Sequence, residues 1–522
     1  MKVSSQILET ISSGVYNTDE SAFKELLSNS FDADATKVTI RAKPELDTIS
    51  VKDDGYGMDY GEFVKHFNRI SRSNKRDETE VSPGGRPLIG KIGIGFIAVS
   101  QLCDRMTVIS KKMGSTEKIQ AEINFADFRK PEHREKDFYD ISQYQIQRLS
   151  SSEVNEQFTI VILEDLNRQF RLRLLDKDTE DIELKQYEGK SFEEILKSVE
   201  TDVSELRGNV GEYWRFMINL ADIIPIPYAE GGPIRYRLRN ERDQALIDEL
   251  RREAVKLKFE VDFDGVFLRR PIRLPELADR PTPEFPESGV SREGRDFNVF
   301  TFRERKEFPD IGPLSFKGYL YIQKSKIPLA EHRGLLIRLK NVAIGAPDPD
   351  FIGYPYSEKL FIPWVFGEVY VEQGLEQAMN VDRSTFKSSD PQFRELRTYI
   401  HTVLHREVFP RARDRQHDKR ERRKELLEAD KTRDLESFLQ NEFDRRIRVR
   451  RYDGDGNHLV RLDKQNGLLL IDRSSPLFLV RSVYDRWLAI MIHTALVVAE
   501  SKCGGDVKKL VKLFNEYLKV IM

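Results

Sequence analysis

Glu25-Leu26-Leu27-Ser28-Asn29-Ser30-Phe31-Asp32-Ala33 and, shortly after it, Asp53-Asp54-Gly55-Tyr56-Gly57-Met58 decide how this chain is read. On a helix, Glu25, Asn29 and Asp32 fall at i, i+4 and i+7 and share one face. Taken alone, that stripe is also what a solvated helix face looks like, because Phe23, Leu26, Leu27 and Phe31 occupy the other side. Thr18, followed by Asp19 and Glu20, supplies an N-cap for the helix. The second stretch follows a β-branched strand, Thr48 to Lys52. Gly55 and Gly57 permit positive φ and a close backbone approach to a flat ligand. A carboxylate at the strand end accepts hydrogen bonds from amino groups. Asp-Asp-Gly by itself reads as a turn.

A third stretch, Gly90-Lys91-Ile92-Gly93-Ile94-Gly95-Phe96, precedes a predicted helix. Its glycines let main-chain N–H groups and a helix N-terminus face phosphate oxygens. The dinucleotide fingerprint does not fit, since no strand–turn–helix unit with a downstream ribose-binding acid accompanies it. A P-loop would need Gly-x-x-x-x-Gly-Lys-Ser/Thr. Residues 71–95 are polar and then rich in Gly and Pro, and a connection of that length is usually functional or mobile. Around these stretches the sequence predicts strands Lys37 to Ala42, Met106 to Ser110, Glu117 to Ile123 and Phe158 to Leu163, and a short helix from Ser4 to Ile11.

The three stretches in this order resemble the boxes of the GHKL ATPases: gyrase B, the ninety-kilodalton heat-shock chaperone, sensor histidine kinases, MutL and MORC proteins. Glu25, Asn29, Asp32 and Ala33 match the first box, Asp53, Gly55 and Gly57 the second, Gly90, Gly93 and Gly95 the third. Thr159, opening a late strand, matches a fourth. The resemblance implies an α+β chain with an N-terminal Bergerat α/β sandwich that binds ATP and Mg²⁺. It implies that Asn29 ligates Mg²⁺, a cation that takes hard oxygen ligands and keeps several waters. Glu25 would orient or deprotonate the attacking water. Asp53 would read the adenine with support from Thr159, beside Asp32, Gly55, Gly57 and Met58. Lys91, Gly93 and Gly95 would hold phosphates, flanked by Gly90 and Phe96. Ser73 and Lys75 lie in the implied lid.

Many ATPases of this superfamily complete their site from the next domain, and an added cation matters where catalysis is positioning and charge stabilisation. Gln377-Ala378-Met379-Asn380-Val381-Asp382-Arg383-Ser384 resembles the segment of the heat-shock chaperone's middle domain whose arginine reaches the γ-phosphate. Asp382 and Ser384 depart from that pattern. Arg383 is the second candidate catalytic residue, with Lys324 and Lys326 as alternatives by analogy with gyrase B and MutL.

The expected organisation is an ATP-binding domain over 1–170 with its lid at about 71–95 and a charged helical connector over 171–209. A transducer-like α/β domain over 210–392 and a charged helical segment over 393–443 come next. Residues 444–522 are expected to form a hairpin, with an Asp-Gly turn near Asp453, and then helices for interaction or dimerisation. The formal net charge of −2 excludes a globally basic nucleic-acid binder. Two well-separated cysteines, Cys103 and Cys503, lack metal-ligand spacing and suit a reducing compartment. The N-terminus is too polar for a signal peptide, and the apolar run from Trp487 to Val498 is too short to span a bilayer. The protein is therefore expected in the cytoplasm with no membrane partner.

Arg445, Arg446, Arg448, Arg450 and Arg451 form a basic cluster that suits phosphate contacts or a solvated face. A sensor kinase carries its ATPase domain last, and a topoisomerase needs a nucleophilic tyrosine domain; neither fits. Two readings remain. One is a heat-shock-90-like ATPase that closes as a homodimeric clamp on a protein client, through its N-terminal domains and C-terminal helices. The other is a MORC- or MutL-like clamp that engages DNA through Arg445 to Arg451 in bacterial defence or repair.

Overall fold

The computed structural model describes residues 18–67, 81–89, 98–128, 145–177, 190–204, 210–234, 237–238, 240–270, 299–322, 326–380, 383–479 and 482–521. The chain divides into two compact units, 1–410 and 411–522. Both combine helices with sheets, as the α+β expectation requires.

The first unit opens with α1 (Asp19–Asp32), capped by Thr18, whose side chain accepts a hydrogen bond from the Ser21 N–H. Next come β1 (Lys37–Lys43), β2 (Thr48–Asp53), α2 (Tyr60–Phe67), β3 (Cys103–Lys111), β4 (Glu117–Asn124), β5 (Gln145–Ser150) and β6 (Phe158–Leu166). Helices α3 (Arg168–Leu175), α4 (Phe192–Ser204), α5 (Glu212–Ile223) and α6 (Glu241–Lys256) follow, and then a hairpin of β7 (Glu260–Phe263) and β8 (Val266–Phe267). These eight strands make one sheet, in the order β5-β4-β3-β6-β2-β1-β7-β8. Its pairs are antiparallel except β1 with β7.

That exception bears on domain organisation. Glu260 to Phe263 belong by sequence to the expected second domain, yet they complete the first sheet. Asp262 makes a two-pronged pair with Arg41, at 2.9 and 3.0 Å. Helix α5 packs its Phe216 ring edge-on against Phe23 of α1, 5.7 Å between centroids. Residues 260–267 thus add to the first sheet from beyond residue 210. The first layer draws its edge strands and a core helix from residues 212–267, and β7 pairs the backbone N–H and C=O groups of the β1 edge.

A second sheet has the order β12-β11-β13-β10-β9, formed by β9 (Val299–Lys306), β10 (Leu314–Ile322), β11 (Gly334–Leu339), β12 (Val342–Asp348) and β13 (Val365–Gln373). It is fixed to α5 by a buried polar cluster. Arg338 donates to Glu368 Oε1 (2.7 Å) and to the Asp222 carbonyl near the end of α5 (2.6 Å). Tyr228 and Tyr319 donate to Glu368 Oε2 at 2.6 and 2.7 Å, and Arg270 donates to Tyr370. Burial alone would raise the Glu368 carboxyl; Arg338 and Arg270 outweigh it and hold it at about 2. Helix α7 (Pro391–Val403) covers this sheet and leads through a π-turn into α8 (Phe409–Phe443).

The second unit contains most of α8, a sheet of β14 (Arg448–Tyr452), β15 (Val460–Asp463) and β16 (Leu468–Asp472), and helices α9 (Val483–Cys503) and α10 (Val507–Ile521). The expected hairpin is corrected here. β14 and β15 do not pair; β16 lies between them, parallel to β14 and antiparallel to β15. Asp472 organises the intervening turn by accepting from the Gly454 and Gly456 N–H groups at 2.8 and 2.9 Å. Leu468-Leu469-Leu470-Ile471 is a short continuous apolar run, and periodicity does not separate such a strand from a buried helix. No helix among the described residues is long and apolar enough to cross a membrane.

Candidate functional site

Twelve of the fourteen residues of α1 are buried, and the two that are not are Asp19 and Asn29. The solvated-face reading of Glu25, Asn29 and Asp32 therefore does not hold: Glu25 and Asp32 are each 3% exposed. The cover comes from several parts of the chain: Phe216 of α5 packs on Phe23, and the Ile89 N–H reaches Asp32. Lys24 Nζ donates to the Ala343 carbonyl of β12 at 3.1 Å.

Each polar residue on α1 has a distinct environment. Asp32 Oδ1 accepts from the Ile89 N–H at 2.7 Å and so fixes the chain just before the glycine-rich stretch. Ser30 Oγ donates to Asp53 Oδ2 at 2.9 Å. Glu25 Oε1 is buried with no hydrogen-bond partner, and Oε2 lies 3.7 Å from Arg383 Nη1. Asn29 opens its side chain to solvent between Glu25 and Asp32.

Asp53 ends β2 at 6% exposure, in register with Thr159 on β6. Its Oδ1 accepts from the Gly55 N–H at 3.0 Å. Burial raises its carboxyl to about 6, against the lowering effect of the Ser30 and Gly55 hydrogen bonds. Thr159 Oγ1 is 3.0 Å from Ser110 Oγ, which accepts from the Met58 N–H at 2.8 Å. Ser30 and Ser110 escaped the sequence reading. Ser30 sits inside the first box, but nothing in spacing says that it turns towards Asp53.

The two glycines answer to close approaches. A Cβ on Gly55 would meet the Ala33 carbonyl oxygen at 2.7 Å. Gly57 has φ +65°, and a Cβ there would stand 2.0 Å from the Lys111 carbonyl oxygen. Only glycine fits position 57. Ser73, Lys75, Gly90, Lys91, Gly93, Gly95 and Phe96 lie outside the described residues, as do Lys324 and Asp382; Lys326 is exposed.

Arg383 comes from the loop after β13. Its backbone is left-handed, φ +51°, and its side chain is buried. The loop is closed by Asn380, whose carbonyl accepts from the Arg383 N–H at 3.1 Å. The Arg383 carbonyl accepts from the Gly345 N–H of β12 at 3.0 Å. β12 thus holds Lys24, next to Glu25, and Arg383 as well.

The donor set suits a magnesium nucleotide. A buried carboxylate with hydrogen-bonding capacity ends a strand beside two obligatory glycines. An orphaned glutamate oxygen and an outward amide stand one turn apart on a helix, and a cation faces the glutamate. Among the described residues no cluster of His, Cys, Asp and Glu forms a ready-made all-protein metal cage. Magnesium binds through few protein oxygens and substrate phosphates rather than through such cages.

In the second unit the arginine cluster does not share one face. Arg451 lies on the opposite strand face from Arg448 and Arg450, 2.7 Å from Glu428, with its guanidinium over the Trp487 ring. Arg445 donates to the Lys464 carbonyl. Arg448 and Arg450 are exposed on the outward face, joined there by Arg461 of β15, which stands opposite Leu470 as Arg450 does. Residues 411–522 contain 25 Lys and Arg against 18 Asp and Glu, so this unit is basic although the whole chain is not.

Residues 16–157 match the family described as "Histidine kinase-, DNA gyrase B-, and HSP90-like ATPase". The chain is 30% identical over 155 residues to "Chaperone protein HtpG" of Bacillus subtilis, a match covering 26% of this chain and 25% of that protein. The protein of the same name from Rhodopseudomonas palustris is 33% identical over 134 residues, 22% of each. That of Rhodococcus jostii is 27% identical over 136 residues. The matched region spans about a quarter of these relatives' own length. The N-terminal region is a GHKL, heat-shock-90-like ATPase domain.

Proposed function

We propose that this GHKL domain hydrolyses ATP to ADP and phosphate, and that the chain works as an ATP-gated clamp on a protein partner, with Arg383 completing the site from the second sheet. The observation that carries this reading is the approach of Arg383 to Glu25, with Arg383 and Lys24, the neighbour of Glu25, both bonded to β12. Asp53 accepts from the adenine amino group, supported by Ser30, Thr159 and Ser110. Gly55 and Gly57 leave room for the base. Asn29 offers its side-chain oxygen to Mg²⁺, which when bound neutralises phosphate charge. Lys91, Gly93 and Gly95 hold the phosphates, and Ser73 and Lys75 close over them. Glu25 takes a proton from the water that attacks the γ-phosphorus as the bond to the leaving ADP oxygen breaks. Arg383 offsets the charge on the transferred group.

Homodimeric closure follows from the same reading. It is supported by apolar side chains left exposed in the second unit, Leu479, Val507, Val511 and Val520. The test is sedimentation of the Glu25→Gln variant with and without ATP. A dimer that accumulates with ATP and dissociates without it supports the clamp. An unchanged monomer in both conditions refutes it.

The charge of the second unit favours a second reading, in which the clamp closes on DNA. Long duplex DNA would then stimulate ATP hydrolysis at moderate salt. Replacing Arg448, Arg450 and Arg461 with Gln would remove the stimulation.

A further inference from the structure

Among the described residues β9 is an edge of the second sheet, and its outer side is not a flat surface. Helix α6 overhangs one face of the strand: Thr301 Oγ1 donates to Asp243 Oδ1, and Arg303 pairs with Glu249 at 2.5 Å. Helix α7 overhangs the other face, with the Tyr399 ring 5.7 Å from that of Phe302. Between them a cavity of about 610 Å³ runs along residues 300–304 and reaches Val403 and Glu407 beyond. Five strand residues span about 14 Å, and a neighbouring strand occupies a width of about 4.8 Å. The cavity has the form of a missing strand at the end of a covered sheet.

Its floor holds an unmet acceptor. Asp243 is 1% exposed and lines the cavity, and its Oδ2 has no hydrogen-bond partner. A buried acceptor left unpaired costs desolvation energy, which a donor from a ligand would return. Glu304 and Glu407 add two more carboxylates to the lining beside Arg242, while Glu249 and Arg303 pair with each other and Glu249 also with Lys317. The complement is a cationic donor on an extended backbone.

We propose that this slot takes an extended peptide, which adds to β9 as a sixth strand and sets a lysine or arginine side chain against Asp243. Main-chain hydrogen bonds to the open edge supply affinity, and the buried carboxylate supplies selectivity. The site is separate from the nucleotide pocket, and its occupation needs no nucleotide.

The test uses the full chain without nucleotide and a fluorescein-labelled peptide of alternating threonine and valine with one central arginine. Fluorescence anisotropy should show saturable binding, and amide exchange over residues 299–306 should slow in the complex. A central glutamate should weaken binding at least tenfold. Asp243→Asn should weaken the arginine peptide about tenfold. Ala245→Trp, at an exposed position lining the slot, should block binding while leaving the thermal unfolding midpoint in place. Methylating one alternate set of peptide nitrogens should abolish binding, and methylating the other set should be tolerated. The proposal is overturned if both methylated peptides bind alike, which would mean a side-chain pocket only. Equal binding of the glutamate peptide, or no binding at millimolar peptide, overturns it too.

Discussion

Arg383 Nη1 lies 3.7 Å from Glu25 Oε2, and both side chains are almost closed to water. The arginine belongs to a loop after the last strand of the second sheet and the glutamate to helix α1, so this pair joins the two sheets' surroundings within the first unit. Removing one partner of a buried pair leaves the other uncompensated. Arg383→Gly should lower ATP turnover at least tenfold while ATP affinity changes less than about threefold. Glycine suits the left-handed backbone there, so the loss reads the side chain alone. Steady-state hydrolysis with calorimetric binding checks it; normal turnover would remove Arg383 from the site.

Glu25→Gln keeps the size of the side chain and removes its basicity. General-base catalysis contributes roughly 10²- to 10⁴-fold. Turnover should fall by about that factor with ATP still bound, as measured by single-turnover hydrolysis and equilibrium binding. Undiminished hydrolysis would exclude Glu25 as the base.

Asp53 is expected to trade stability for binding. Its carboxyl is raised from about 3.8 to about 6, so the native state favours its proton. A raised carboxyl stabilises the fold as pH falls from about 6 towards 4 and penalises it above. On the proposed role of Asp53 as acceptor for the adenine amino group, binding takes the ionised form, so affinity should drop about tenfold between pH 7 and pH 5. Asp53→Asn should abolish ATP binding and stabilise the nucleotide-free protein by about 1–3 kcal/mol, the order of the shift. Calorimetry at the two pH values and chemical denaturation of the variant give the answers.

Gly57→Ala should remove ATP binding and lower the first thermal transition clearly. Its Cβ would press on the Lys111 carbonyl oxygen from a left-handed backbone. Gly85→Ala is the control. Its φ is +84°, but nothing lies within 4 Å of the added carbon. That variant should cost only about 1 kcal/mol, the conformational penalty alone.

Glu368→Gln tests the cluster that docks the second sheet on α5. Loss of the charge leaves Arg338 buried without a counterion, and breaking such pairs costs about 3–5 kcal/mol. Because the carboxyl sits at about 2, its contribution is complete above about pH 4.5 and is lost only as pH falls towards 2. The deficit of the variant against wild type should therefore be the same at pH 6 and pH 8 in denaturant titrations.

The nucleotide-binding layer was legible where chemistry is written locally. Thr18 caps the helix it was expected to cap, and the strands around Val38, Val51 and Ile160 lie where β-branched residues place them. What local pattern does not carry is who covers whom. Glu25 and Asp32 looked like a wet helix face because what meets them, Arg383 and the Ile89 N–H, lies well outside the helix in sequence. Glu260 to Phe263 fall by sequence in the expected second domain but belong to the first sheet, since partner choice is a tertiary matter. β16 was missed because Leu468 to Ile471 has no period to read, and with it went the separation of β14 from β15. Arg451 was grouped with its neighbours although strand alternation places it on the other face, beside Glu428 and Trp487.

The pairing of β1 with β7 also sets a clock on biosynthesis. Arg41 and Asp262 are 221 residues apart, so the sheet that carries Asp53 stays unfinished until half the polypeptide has left the ribosome. At roughly 5–20 residues per second this leaves an unsealed β1 edge for some ten seconds or more in each round of translation. Nascent chains of this protein are themselves exposed to edge-to-edge association during that interval, and a gene fragment stopping near residue 170 would make the exposure permanent.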